Sequence, residues 1–158
     1  MVTAVLAAVF VLLAIVLRRV DKLPMTTVIP LWLFIDLIFG LTFNSIIMNL
    51  QDISKPKTFD SFFSFLLLQT LYLPLAVILI LAIYPAGKPK SLLKGITLVL
   101  GSFLLWGGEA VAVRIGIVTY VNWSPWYSLP LWLALLCLSL GFYRFLNSGF
   151  LQRGGKHA

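Results

Sequence analysis

Five apolar runs divide this chain, and each approaches or exceeds the length that a helix needs to cross a lipid bilayer. A transmembrane helix takes about 20 mostly apolar residues, because the hydrocarbon core is ~30 Å thick. Short connections, which hold most of the basic residues, separate the runs. The runs occupy residues 2–17, 23–50, 61–86, 95–120 and 127–146. This pattern predicts an all-α, polytopic helix bundle of five spans, forming a single transmembrane domain over residues 1–158.

Composition agrees with this fold class. The chain is 61% hydrophobic and 11% charged, whereas soluble domains average about 25% charged residues. The formal net charge of +7 comes largely from residues scattered among short connections. That distribution favours a role in membrane topology and in attraction to anionic headgroups. We therefore expect membrane lipids as partners and no binding to nucleic acid.

The basic residues also predict an orientation. The first connection, the third connection and the C-terminal tail carry three Lys or Arg each, whereas the second connection has two and the fourth has none. Basic residues concentrate on the cytoplasmic side of membrane proteins. The N-terminus should therefore lie outside, the C-terminus should lie in the cytoplasm, and the protein should be a multi-pass protein of the cell membrane.

Cysteine and histidine are too rare for several kinds of site. Cys137 is the single cysteine, and His157, the penultimate residue, is the single histidine. No internal disulfide is possible, and neither residue supports a metal site or a Ser-His nucleophile. We expect no cofactor and no metal, and we expect Cys137 to be a small buried side chain.

Glu109 is the leading candidate for a functional residue. It lies within the fourth apolar run, five residues before Arg114. A charge at bilayer depth costs roughly 2.5–3.5 kcal/mol on insertion scales, and such residues usually face a bundle interior or a wet cavity. Five residues turn a helix by about 140°, so the two side chains should seek partners on other helices rather than each other.

Three further polar residues lie in the predicted spans at similar depths. Asp36 and Glu109 should both lie near mid-membrane, with Asn44, Gln69 and Arg114 further outward. We expect these side chains to converge on one pocket that opens outward and binds a ligand. Asp36, Asn44 and Gln69 have an alternative role, as hydrogen-bonding contacts between helices.

Aromatic residues cluster in the fourth connection, where Trp123 and Trp126 lie between Tyr120 and Tyr127. Such rings favour the headgroup layer, so an interfacial aromatic belt is the simpler interpretation. The alternative interpretation, which is more specific, places Trp123 and Trp126 at the mouth of the ligand pocket.

Small residues also recur along the fourth span, which favours close approach of a neighbouring helix. They are Gly101, Gly108, Ala112 and Gly116.

A pattern of aromatic, acidic and small residues extends from the fourth span into the fifth, at Trp106, Glu109, Gly116, Tyr120, Trp123 and Ser128. With the five short spans, this pattern resembles a family of small multi-pass membrane proteins from Gram-positive, often spore-forming bacteria. Members of that family have a glutamate in the fourth span, followed by a tyrosine and a tryptophan at its outer end. The resemblance covers the length of the fold and residues 106–128. It implies a bacterial cell-membrane protein and no particular activity.

Three hypotheses of function follow. The favoured one is an intramembrane polar pocket that binds or passes a small solute, ion or lipid. The second is an accessory or structural subunit, which would assemble with itself or with a partner membrane protein. The third, less favoured, is a membrane-embedded enzyme on a lipid or isoprenoid, with Glu109 as general acid and Asp36 as base or cation stabiliser.

Overall fold

The structure, a computed structural model, describes residues 15, 23–43, 53–54, 59–84 and 91–150, and most of these are helical. The elements in chain order are α1 (Met25–Gly40), β1 (Ile53–Ser54), α2 (Phe59–Leu67), α3 (Leu73–Ile83), α4 (Ser91–Arg114), β2 (Thr119–Tyr120) and α5 (Pro125–Phe145). A π-helical turn, Leu68–Tyr72, joins α2 to α3, and another, Leu146–Phe150, extends α5. The first predicted span lies outside the described residues except for Ile15, and Asn44 also lies outside them.

Within the described residues, four continuous helical stretches are long and apolar enough to cross a membrane. They are Met25–Phe43, Phe59–Ile83, Leu92–Arg114 and Pro125–Ser148. These stretches correspond to the second, third, fourth and fifth predicted spans. The prediction of a mostly helical bundle is therefore confirmed for the described part of the chain.

The centre of the bundle lies between α1, α3 and α5. On α1, Leu31 and Ile35 are one turn apart and fully buried, because residues four apart share a helix face. They belong to one apolar core with Val77 and Ile78 of α3 and Leu136 of α5, which are fully buried as well. α3 is therefore the central helix, and nine of its eleven residues are buried.

α4 packs mainly against α5 and presents its other side outward. The described glycine of α4 with the tightest surroundings is Gly101, where a Cβ atom would lie 2.8 Å from Ile80 Cγ2 and 3.2 Å from Leu136 Cδ1. A side chain there would force Ile80 to shift, so Gly101 allows α4 to pack closely against α3 and α5. The outward side carries large apolar side chains such as Leu100 and Leu104, both at least 60% exposed.

α4 ends earlier than the apolar run predicts, at Arg114 rather than Tyr120. Gly116 adopts a left-handed conformation with φ of 77°. Its N–H donates to Val113 O (3.1 Å), and the Ile117 N–H donates to Ala112 O (3.0 Å). These two bonds are the Schellman arrangement that closes a helix at a glycine. Gly116 therefore serves the turn, and its predicted place in a helix-packing stripe is wrong.

A short antiparallel strand pair fixes the chain after this turn. β1 pairs with β2, so that Ile53 faces Tyr120 and Ser54 faces Thr119. Ile53 is 2% exposed and belongs to the core cluster. The pair ties the connection before α2 to the connection after α4 and holds Tyr120 beside the end of the bundle.

Candidate functional site

The Glu109 carboxylate accepts hydrogen bonds from three side chains. The Tyr120 hydroxyl donates to Oε1 (2.5 Å), and the Ser128 hydroxyl donates to the same oxygen (2.8 Å). The Trp132 indole N–H donates to Oε2 (2.6 Å). Such short bonds to a carboxylate are stronger than bonds between neutral groups. The described surroundings therefore offset much of the cost of placing Glu109 in an apolar helix.

Two different features of the chain bring these donors to Glu109. Ser128 and Trp132 are one turn apart on α5, are almost fully buried, and share the face that meets α4. Tyr120 arrives through the turn at Gly116. Had α4 continued as a helix, Tyr120 would lie about 16 Å beyond Glu109 along the helix axis. The early end of α4 is thus a condition for the contact.

The hydrogen bonds around Glu109 form a chain in which each group has a definite role as donor or acceptor. Trp123 donates its indole N–H to Ser128 Oγ (2.9 Å), so the Ser128 hydroxyl accepts one bond and donates the next to Glu109. An indole N–H can only donate, so Trp132 requires an acceptor at Oε2. Both oxygens of Glu109 therefore act as acceptors, which matches the carboxylate form.

Tyr120 remains a donor over a wide pH range. Burial raises the pKa of the Tyr120 phenol well above its ordinary value, and the hydrogen bond to Glu109 and its negative charge raise it further. The hydrogen bond with Ser128 acts in the opposite direction but is the smallest of the causes. The phenol therefore stays protonated at neutral pH and keeps its hydrogen bond to Glu109.

Glu109 forms part of the wall of a cleft between α1, the α2–α3 stretch, α4 and α5. The cleft holds about 580 Å³ of empty space, including space open to the surroundings. Its lining is almost entirely apolar, and Gly108 beside Glu109 leaves room for a side chain, since a Cβ there would meet only Tyr72 Cε1 at 4.0 Å. The cleft thus combines an apolar volume with one carboxylate.

A row of aromatic rings forms one wall of this cleft. Trp132 stacks on Phe39 with ring centroids 5.5 Å apart, and Phe39 stacks on Phe43 at 5.2 Å. Phe43 in turn contacts Phe65 at 5.4 Å. The row begins at the indole that donates to Glu109, so the aromatic wall and the carboxylate belong to one site.

The predicted mouth residues lie beside this site and not in its lining. Trp123 acts through its bond to Ser128 and meets Tyr127 edge to face. Trp126 is 66% exposed and stacks on Trp106, whose indole N–H donates to Pro125 O (2.9 Å). An exposed ring at the start of a helix, such as Trp126 at the start of α5, suits a headgroup layer. The belt interpretation therefore fits Trp126, whereas Trp123 supports the Glu109 network.

The other predicted ligand residues within the described chain do not line the cleft. Asp36 lies one turn after Trp32, whose indole N–H donates to Thr70 O, so this side of α1 faces the π-helical turn rather than α4. Gln69 is buried in that turn, with its Nε2 close to Gly40. The predicted convergence of Asp36 and Gln69 with Glu109 is therefore absent from the described part of the structure.

Arg114 is not among the described residues that bond to the Glu109 carboxylate or line the cleft. It is the last residue of α4 and is exposed. Because α4 ends there, Glu109 lies only about 8 Å from the end of the helix rather than at its middle. Cys137 differs from expectation too, since it is exposed on α5 and not buried.

Reasoning about charges and depth did not identify the three hydrogen-bond partners of Glu109, which are Tyr120, Ser128 and Trp132. Tyr120 and Ser128 do occur in the pattern of the family resemblance, and Gly116 after Arg114 is a recognisable helix stop. Ser128 and Trp132 have the spacing of a shared helix face. Neutral donors give no signal in a search for charged groups, which is why they were overlooked.

Chemically, the site offers one fixed carboxylate in an apolar cleft. The second carboxylate that the enzyme hypothesis requires, Asp36, is not among the residues that line it. Comparisons of the chain with protein-family models, with curated proteins and with solved structures found no match. The geometry around Glu109 is therefore the basis on which a function is proposed.

Proposed function

We propose that this chain is an integral membrane protein that binds a small lipid-like molecule in the cleft beside Glu109. The observation that supports the proposal is the combination of an apolar cleft with a carboxylate fixed by three donors. Ligand sites in proteins are typically concave and mostly apolar, with a few placed polar groups that orient the ligand. The Glu109 cleft has these properties.

Among a solute, an ion and a lipid, the lining favours the lipid-like molecule. A hydrophilic solute or ion loses its hydration in an apolar cleft and needs several polar partners in return. The lining offers Glu109 amid rings and aliphatic side chains. An amphiphile meets both parts of the site, because its chain covers the apolar wall and its head reaches the carboxylate.

A pair of glycine variants tests whether the cleft is occupied. Gly108→Leu places a side chain into the cleft, whereas Gly107→Leu places the same side chain one residue earlier, where a Cβ meets nothing within 4 Å. Both changes remove a helical glycine and should raise helix propensity by up to about 1 kcal/mol. They therefore match each other in all respects except the space they fill.

The probe is a fatty alcohol that carries a photoreactive diazirine in its chain. After illumination of the full chain in mild detergent, peptide mass spectrometry locates the labelled residues. We expect saturable labelling at Phe65 and Leu73 in the wild type and in Gly107→Leu, and its loss in Gly108→Leu. Labelling that is confined to the outward faces of the helices, or that survives Gly108→Leu, would contradict the proposal.

We also propose the membrane setting and the orientation. The basic residues support five spans with the N-terminus outside, and the family resemblance supports a multi-pass protein of a bacterial cell membrane. Reporter fusions at the C-terminus and after residue 57 test the orientation. The C-terminal fusion should report cytoplasm and the other should report the outside; the reverse pair of results would overturn it.

One observation favours an accessory subunit as a second candidate. α4 has the lowest buried share of the four membrane-length helices, 22% of its most apolar window. Its outward apolar side is able to face lipid, a second copy or a partner membrane protein. Native mass spectrometry from mild detergent separates these: a fixed stoichiometry with another protein supports the subunit, whereas a monomer carrying a small molecule supports the binding protein.

A further inference from the structure

We infer that the ligand of the Glu109 cleft is a lipophilic cation, an apolar molecule with a positively charged nitrogen at its head. The inference rests on the proposed function and narrows the chemical class of its ligand. It starts from the charge of Glu109. The described groups that bond its carboxylate are a phenol, a hydroxyl and an indole, and all three are neutral.

Neutral donors solvate a carboxylate but leave its net charge in place. In surroundings of low dielectric constant, an opposite charge a few ångströms away is attracted far more strongly than in water. Among the described residues, no Lys or Arg bonds to the Glu109 carboxylate, and Arg114 is exposed at the end of α4. A cationic head bound beside Glu109 is the group that would neutralise the site.

The carboxylate also retains room for another donor. Two oxygens offer about four acceptor positions, and the three described bonds use two positions on Oε1 and one on Oε2. The remaining position belongs to Oε2, the oxygen bonded to Trp132, and both Glu109 and Trp132 line the cleft. An ammonium N–H in the cleft would take that position.

The aromatic wall supports the same class of ligand. The negatively polarised faces of aromatic rings attract cations. Tyr72, Trp132 and Phe39 all line the cleft beside Glu109. A cation with an apolar chain would thus contact rings and carboxylate together, whereas an anionic head would be repelled by Glu109 and an uncharged head would gain no attraction between opposite charges.

Three photoreactive probes share the same diazirine-bearing alkyl chain and differ only in the head group, which is an ammonium, a hydroxyl or a carboxylate. Comparing them measures the contribution of the head group to binding separately from that of the chain. In the wild-type full chain, half-maximal labelling at Phe65 and Leu73 should need at least about tenfold less amine than alcohol, and the fatty acid should label there least.

Two matched carboxylate variants complete the test. Glu109→Gln keeps the side-chain volume and should remove the preference for the amine, while Asp36→Asn, on another helix and outside the lining, should keep it. Equal labelling by amine and alcohol in the wild type would overturn the lipophilic cation. A preference for the amine that persists in Glu109→Gln would overturn the role of this carboxylate.

Labelling by the fatty alcohol, whose head is uncharged, tests the proposed lipid-binding cleft separately from the cationic head. Alcohol labelling in the cleft that Gly108→Leu abolishes, with no preference for the amine, leaves a lipid-binding cleft and refutes the cationic head alone. Absence of cleft labelling by all three probes refutes both. If Glu109→Gln fails to fold, Gly108→Leu and Asp36→Asn, compared across the three probes, still decide the outcome.

Discussion

Asp36 and Glu109 are two carboxylates placed in apolar helices, and their surroundings are opposite. Glu109 has three donors bonded to its two oxygens. Asp36 has one oxygen, Oδ1, that is buried without a hydrogen-bond partner in the described part of the chain. An unpaired buried polar group is destabilising, whereas a satisfied one costs little. The comparison shows that a charged residue in an apolar run does not by itself define a built site.

The largest difference in the free energy of unfolding should appear when each carboxylate is replaced, in turn, by an apolar side chain. Glu109→Leu leaves the Tyr120, Ser128 and Trp132 donors without their acceptor, at about 1–3 kcal/mol each. We expect the free energy of unfolding to fall by roughly 3 kcal/mol or more. Asp36→Leu removes an unpaired oxygen and should leave that free energy unchanged or raise it.

Denaturant titration in mixed micelles measures both variants against the wild type. Equal losses in the two would show that Asp36 has a partner of comparable strength, and the contrast between the two carboxylates would then be lost.

A second prediction separates a bond to the carboxylate from a bond between neutral groups. Trp132→Phe removes the N–H that donates to Glu109, and bonds to charged groups contribute about 1.5–3 kcal/mol. Trp123→Phe removes an N–H that donates to Ser128, a neutral bond of about 0.5–1.5 kcal/mol. The same titration should therefore show a larger loss for Trp132→Phe. The reverse order would mean that the hydrogen bond from Trp132 to Glu109 Oε2 contributes less to stability than the neutral bond from Trp123 to Ser128.

A third prediction concerns pH and Tyr120. Because its pKa is raised in the folded protein, the stabilisation is fully present below the ordinary tyrosine value of about 10 and is lost as pH rises through the folded value. Ultraviolet titration of the phenolate should show a last-ionising tyrosine in the wild type that is missing from Tyr120→Phe. If the two alkaline titrations end together, the phenol is not held by Glu109.

The smallest expected effect is at the turn that brings Tyr120 to Glu109. Gly116→Ala places a Cβ at a left-handed φ and should lower the free energy of unfolding by about 1 kcal/mol. Gly107→Ala, within α4, should raise it by a similar or smaller amount because alanine favours helix. Gly116→Ala affects the surroundings of Glu109 and leaves those of Asp36 unchanged. If both glycine variants shift the temperature of thermal unfolding by the same amount, the left-handed turn at Gly116 does not need a glycine.

The helical bundle could be predicted from the sequence because hydrophobicity and length determine which segments cross a bilayer. Glu109 was identified in the same way, as a charge in an apolar run. Its partners were not, because they depend on where α4 ends and on how α5 is rotated. Gly116, two residues after Arg114, is a sequence signal for the end of α4. The rotation of α5 arises from packing between helices, which the periodicity of apolar residues does not determine.

Asp36 and Gln69 do not line the cleft beside Glu109, for a related reason. Depth along a helix follows from residue number, and Asp36, Gln69 and Glu109 were grouped by depth. The direction in which a side chain points depends on which helices are neighbours. Asp36 faces the side of the π-helical turn, and that turn itself, Leu68–Tyr72, gives no signal in the pattern of apolar residues.

The described donors to Glu109 all follow it in the chain, at separations of 11, 19 and 23 residues. This has a consequence for biosynthesis. A helical hairpin of α4 and α5 contains the carboxylate and the three side chains that solvate it, so the pair is able to enter the bilayer with Glu109 already hydrogen bonded. The negative charge then enters the bilayer already hydrogen bonded by three neutral side chains, and these bonds do not depend on the assembly of the remaining helices.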